Sequence, residues 1–214
     1  MSESSEPSLL LATSNAGKIE ELKALLAGLP ITLKSLGELV EPAPAVEEAA
    51  LTYHGNASLK AIALAKWSGQ HTLADDSGLE VDALGGAPGV HSARYAGPEQ
   101  NSQANICKLL AELSEVPSGQ RTARFRCVLV VASPTGATLS VEGVCEGRIA
   151  IAPSGCGGFG YDPIFLPTPG SSAFAVMPAA EKNRISHRAN ACRALRGRLI
   201  AFLNAGPTAT VAAR

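Results

Sequence analysis

Asp75 and Asp76, side by side in "ADDSGLEVD" at the end of an apolar run, are carboxylates in a place where chemistry can happen. Two adjacent acids cannot both be comfortably buried as ions, so the pair asks for a cation between or beside them. Oxygen-only ligands suit Mg²⁺, and Glu47 and Glu48 of an upstream acidic loop could complete its shell. The carboxyl edge of a strand is also where α/β proteins usually hold ligands. The plainer alternative is an Asp-rich turn held by Asx hydrogen bonds, with Glu47 and Glu48 solvated near a helix start.

Three further stretches carry reactive types. "LATSNAGK", residues 11–18, runs from a short apolar strand into an amphipathic helix. It lacks the first glycine of a Walker loop, having Ala12 there, and Ile19 replaces the Ser or Thr after the lysine. A helix start still offers free N–H groups and a positive dipole end to an anion, with Lys18 adding charge. Alternatively, Ser14 and Asn15 only cap the helix. "SGCGGFGYDPIF" combines glycines with the planar Phe159 and Tyr161 and the acceptor Asp162, which suits a flat heterocycle or a glycine-rich hairpin with core aromatics. "EKNRISHRANACR" puts Lys182, Arg184, His187, Arg188 and Arg193 at helical spacing, either a solvated face or a set of donors for phosphate and base oxygens.

The elements that must position these residues follow from periodicity and punctuation. Residues 9–13 read as a buried strand, 17–26 as a helix, and 31–36 as a second strand. A proline-broken acidic loop leads into a long helix over 51–67, ended by Gly69. Residues 71–84 read as two short strands around an acidic turn. A helix follows near 101–113, closed by Pro117, and then two β-like runs, 122–132 and 137–150, joined by "SPTG" as an antiparallel hairpin. One helical pattern covers 179–203. Strands alternating with helices, plus one long hairpin, imply a mixed sheet covered by helices.

Composition narrows the classes. The chain has 214 residues, is 46% hydrophobic and 17% charged, and has no run near the roughly 18 apolar residues of a membrane span. A formal charge of −1 argues against a nucleic-acid polymer as partner. Five cysteines without a CxxC pair and four scattered histidines favour neither a disulfide framework nor zinc. The polar start "MSESSEPS" lacks the basic and apolar regions of a secretory signal, which makes the cytoplasm the expected compartment.

Taken together and in order, "ATSNAGKIEEL", "ADDSGLEVDALGGAPGVHSARYAG", "TARFRCVL", "GFGYDPIF" and "EKNRISHRA" resemble the inosine triphosphate pyrophosphatase family over residues 9–203. The resemblance implies an α/β fold with a mixed, elongated central sheet flanked by helices and a cleft between two lobes. It implies a single domain over 9–204; the polar lead-in 1–8 and the tail 206–214 lie outside the resemblance and read as flexible termini. The implied reaction is Mg²⁺-dependent hydrolysis of dITP, ITP or XTP to the monophosphate and pyrophosphate, by a homodimer. Carried over residue by residue, Thr13, Ser14, Asn15, Ala16, Gly17 and Lys18 would bind the triphosphate, with Lys60 as a further phosphate contact. Asp76 would be general base and metal ligand, Glu47 or Glu48 a second ligand, with Asp75 supporting and Ser77 touching substrate. Phe159, Gly160, Tyr161 and Asp162 would form the base loop, with Lys182, His187 and Arg188 as remaining contacts. One departure stands out: many relatives are acidic just before the asparagine of "LTYHGNA", where this chain has Gly55. The alternatives are a pyrophosphatase for other modified or pyrimidine nucleotides, and a non-catalytic nucleotide-binding protein.

Overall fold

Leu9, Leu10 and Leu11 are wholly buried on strand β1 (Ser8–Leu11). An unbroken apolar run suits a strand covered on both faces, and β1 is indeed parallel to both its neighbours. On one side Leu9 faces Leu33 of β2 (Thr32–Ser35); on the other it faces His71 of β3 (His71–Val81). Helix α1 (Ala16–Leu26) links β1 to β2, and α2 (Tyr53–Ser68) precedes β3. The computed structural model describes residues 6–205. The expected loose ends at 1–5 and 206–214 lie outside them, whereas Ser8, expected in the lead-in, already pairs with Thr32.

The sheet has six strands in the order β2-β1-β3-β4-β5-β6, completed by β4 (Thr122–Ala132), β5 (Thr138–Ile149) and β6 (Phe165–Pro167). Residues 133–137 turn the chain between β4 and β5, with the Ser133 N–H donating to the Ala137 carbonyl. So short a link can join only antiparallel neighbours, and β6 is also antiparallel to β5, with Ile149 opposite Phe165. This is the mixed, helix-flanked sheet that the sequence implies.

Two local expectations need correction, and one strand is added. The acidic stretch does not turn: His71–Val81 is one continuous strand. Lysines distant in sequence meet its carboxylates, which removes the need for the chain to expose them there. The long terminal helix is two helices, α4 (Ala179–Ile185) and α5 (His187–Asn204). Ser186 breaks them with an extended ψ of 159° and caps the second, its hydroxyl accepting from the Ala189 N–H. Strand β6, hidden by its shortness, was not foreseen.

The chain divides into two compact units. The first comprises residues up to Asp76, Val128–Glu142 and those from Ala191 on. In it α2 buries Ala57, Ala61, Leu64 and Ala65, and ends at Gly69, whose φ of 66° is the left-handed conformation that closes a helix. Arg196 of α5 donates to the carbonyls of Leu25 and Ala27, capping the end of α1. The second comprises Ser77–Cys127 and Gly143–Asn190. Its core gathers Leu79, Val81, Ile106, Leu109, Leu113, Phe125, Phe165 and Phe174, with α3 (Ser102–Glu112) supplying Ile106 and Leu109.

Candidate active site

In the first unit the turn from β1 into α1 is built by its own side chains. The Asn15 side chain accepts from the Lys18 N–H at 3.0 Å, and the Thr13 hydroxyl accepts from the Asn15 N–H at 3.1 Å. The capping role that the sequence leaves open for Asn15 is therefore present. Ser14, Asn15 and Ala16 are exposed, and Thr13 and Gly17 partly so.

Lys18 reaches from this turn to β3, its ammonium 2.6 Å from Asp75 Oδ1 and 3.4 Å from the Asp75 carbonyl. Lys60 of α2 approaches the same strand and sits 3.0 Å from the Asp75 carbonyl, 3.6 Å from Asp76 Oδ1 and 3.2 Å from Glu48 Oε1. Three carboxylates thus share two ammonium groups, leaving an excess of one negative charge when all are ionised. Glu48 meets Lys60, whereas Glu47 is exposed.

Asp76 Oδ2 is buried and has no hydrogen-bond partner. A buried carboxylate oxygen left in this way costs free energy until a proton or a cation meets it. Burial accordingly pushes the Asp76 pKa above the usual carboxylate value, with Lys60 and Lys18 pulling it down, and Glu48 and Asp75 adding to the rise. Oxygen donors with an unmet demand for positive charge suit a hard divalent ion. Among the described residues, no group of three or more His, Cys, Asp or Glu side chains is placed so that it could hold a metal ion by itself.

In the second unit the glycine-rich loop folds around Asp162. Its Oδ2 accepts from the Phe159 N–H at 2.9 Å and lies 2.5 Å from the Lys182 ammonium. Gly158 has φ of +70°, and a Cβ there would fall 2.0 Å from that same oxygen, so both backbone and space demand glycine. The Phe159 ring has Lys182 Nζ 5.0 Å from its centroid and Arg188 Cζ 5.7 Å from it, within cation–π range. Arg188 is wholly buried and donates to the Ser77 hydroxyl at 3.0 Å.

The two aromatic residues of this loop differ. Phe159 is partly exposed, but the Tyr161 ring belongs to the core cluster and its hydroxyl donates to the Ser92 carbonyl at 2.9 Å. Tyr161 therefore does not offer the planar face that its type suggested. His187 is also buried, stacked on Phe125 at 4.6 Å with 17° between the rings. Gly160 is partly exposed. Sequence reasoning passed over Ser186 and Ser92, although a serine between two apolar-periodic helical segments is an N-cap signal.

Comparison with known proteins places these motifs in a wider set. A profile of the Ham1 family matches residues 9–198. A dITP/XTP pyrophosphatase of Geobacillus kaustophilus is 53% identical over 184 residues, spanning 86% of this chain and 89% of its own. A dITP/XTP pyrophosphatase of Bacillus subtilis is 48% identical over 186 residues, 87% and 93% of the two chains. The solved structure of a HAM1 protein from Coxiella burnetii matches with a TM-score of 0.82 at 39% identity, covering 91% of this chain and 99% of that one.

Proposed function

The chain belongs to the Ham1 family, and we propose that it hydrolyses non-standard purine nucleoside triphosphates, dITP, ITP and XTP, to the monophosphate and pyrophosphate. The names of its relatives support the substrate class. The observation that carries the chemistry is Asp76, buried beside Lys60 with one carboxylate oxygen unmet. Lysines alone can hold a triphosphate; a hydrolase needs in addition a group that takes a proton from water, which an unmet carboxylate oxygen can do.

Asp76 and Glu48 would hold Mg²⁺, with Glu47 the less suited neighbour because it is exposed. The ion, when bound, neutralises phosphate charge and makes water more acidic. Asp76 takes the proton of the water that attacks the α-phosphorus. The new P–O bond forms as the bridge to the β-phosphate breaks, and pyrophosphate leaves. Lys18 and Lys60 meet the polyphosphate, together with the backbone of residues 13–17 at the start of α1. Asp75 holds Lys18 in place.

Phe159 stacks on the base, and Lys182, His187 and Arg188 supply donors for the 6-keto oxygen of hypoxanthine or xanthine. Asp162 orients Lys182, and Ser77 orients Arg188. Adenine presents an amino group at that position and would leave these donors unpaired, a mismatch that rejects strongly. Tyr161 and Gly160 shape the loop. The same reading has the enzyme acting in the cytoplasm as a homodimer. Separately, no helix among the described residues is long and apolar enough to cross a membrane.

The test is an assay of purified protein with dITP, XTP, dATP and dGTP, with and without Mg²⁺, identifying the phosphate product. Metal-dependent pyrophosphate from dITP and XTP is expected. Orthophosphate as the product, or equal turnover of dATP, would overturn the reading.

A further inference from the structure

Gly55 and Asn56 lie in the first turn of α2. Gly55 has no side chain, and the Asn56 amide makes no hydrogen bond to Lys18, Lys60, Asp75 or Asp76. What they touch is Ala50, two residues beyond Glu48. The Asn56 side chain is wholly buried, and its Oδ1 accepts from the Ala50 N–H at 2.9 Å. A Cβ on Gly55 would fall 2.6 Å from the Ala50 Cβ and 3.0 Å from the Thr52 hydroxyl. The missing side chain at position 55 is thus the space that Ala50 fills.

Residues 42–50 have no regular secondary structure, and Glu48 lies within them. Two polar contacts tie this stretch to α2: the Ala50 N–H to Asn56, and Glu48 to Lys60 one turn further along the helix. The second contact is a single ion pair with the glutamate side chain 35% exposed, which alone fixes a carboxylate poorly. The first is a part-buried hydrogen bond from the Ala50 N–H to a wholly buried asparagine side chain, and breaking it leaves the Asn56 amide oxygen buried without a partner. It is the stiffer anchor, and it sits close enough in the chain to dictate where Glu48 emerges.

We infer that Gly55 and Asn56 form a seat for Ala50 that positions Glu48 as a metal-directed carboxylate. They are positioning residues: they act through the loop backbone and touch neither substrate nor ion. The inference rests on the proposed reading of Glu48 and Asp76 as metal ligands. It assigns the affinity for the divalent ion in part to a hydrogen bond made away from it. Gly55 also gains a reason: without a Cβ it keeps open the space that Ala50 occupies.

The test compares Asn56→Ala with the wild type in two measurements. In metal-free protein, hydrogen–deuterium exchange of peptides covering residues 44–52 should speed up about fivefold or more, with β1 and β3 unchanged. In the pyrophosphate assay, the Mg²⁺ concentration for half-maximal rate should rise about five- to tenfold. The rate at saturating Mg²⁺ and the nucleotide KM under those conditions should stay within twofold. A second set guards against misfolding of the asparagine variant: Gly55→Ala should raise the Mg²⁺ requirement, and adding Ala50→Gly should bring it back by removing the colliding Cβ. Faster exchange with an unchanged Mg²⁺ requirement would overturn the inference, as would unchanged exchange. A wild type that releases no pyrophosphate with any divalent ion would instead sink the functional reading, and is thereby distinguishable.

Discussion

The Lys182 ammonium and the Asp162 carboxylate meet at 2.5 Å with 5% and 2% of the residues exposed. Neither charge can return to water without the other, so each holds the other in the fold. Asp162→Ala should cost about 3–5 kcal/mol of stability by leaving a lysine charge buried without its main partner. Adding Lys182→Met should recover part of that loss while nucleotide turnover stays low. Urea midpoints of the two variants check this.

Asp76→Asn removes the proton acceptor while keeping the shape of the side chain. The variant should fold and lose roughly 10²–10⁴-fold in kcat, the span usual for a general base. Undiminished pyrophosphate release would dismiss the role given to Asp76.

Acidity offers a separate check in metal-free protein. Burial raises the Asp76 pKa in the folded state above its unfolded value. Between the two values the folded state holds more protons, so the contribution of this group to stability falls as pH rises through the folded pKa. Asp76→Asn should therefore melt higher than the wild type at pH 7, and the difference should shrink as pH falls toward 4. Calorimetry of the two proteins across this pH range measures the effect.

The loop aromatics should respond differently to truncation. Phe159→Ala should lose about 1–3 kcal/mol of base stacking, seen as a higher KM. Tyr161→Phe should leave KM within a few-fold and cost about 1 kcal/mol of stability through its lost bond to Ser92. Steady-state kinetics and melting curves separate the two.

Much of the fold was legible where a local pattern determines it. Three consecutive leucines announce β1, and Thr52 and Gly69 bracket α2 by ordinary capping chemistry. The order of the motifs was enough to suggest the family. What escaped depends on partners remote in sequence. Asp75 lies 57 residues from Lys18, and without that lysine the acidic pair reads as a turn rather than as mid-strand. Tyr161 and Phe159 look alike as types, and only Ser92, 69 residues away, assigns one of them to the core. Glu47 and Glu48 are chemically identical neighbours, and the approach of Lys60 to Glu48 is a tertiary fact.

The continuity of His71–Val81 makes its length a matter of function. Successive side chains on a strand point to opposite faces, so losing or gaining one residue reverses all that follow. Such a slip between Leu73 and Ser77 would turn a carboxylate away from its lysine while leaving composition and hydropathy almost untouched. Insertions and deletions should therefore be far less tolerated in this strand than single replacements of its half-buried residues His71 and Glu80, and a library of one-residue indels across it would lose activity almost everywhere.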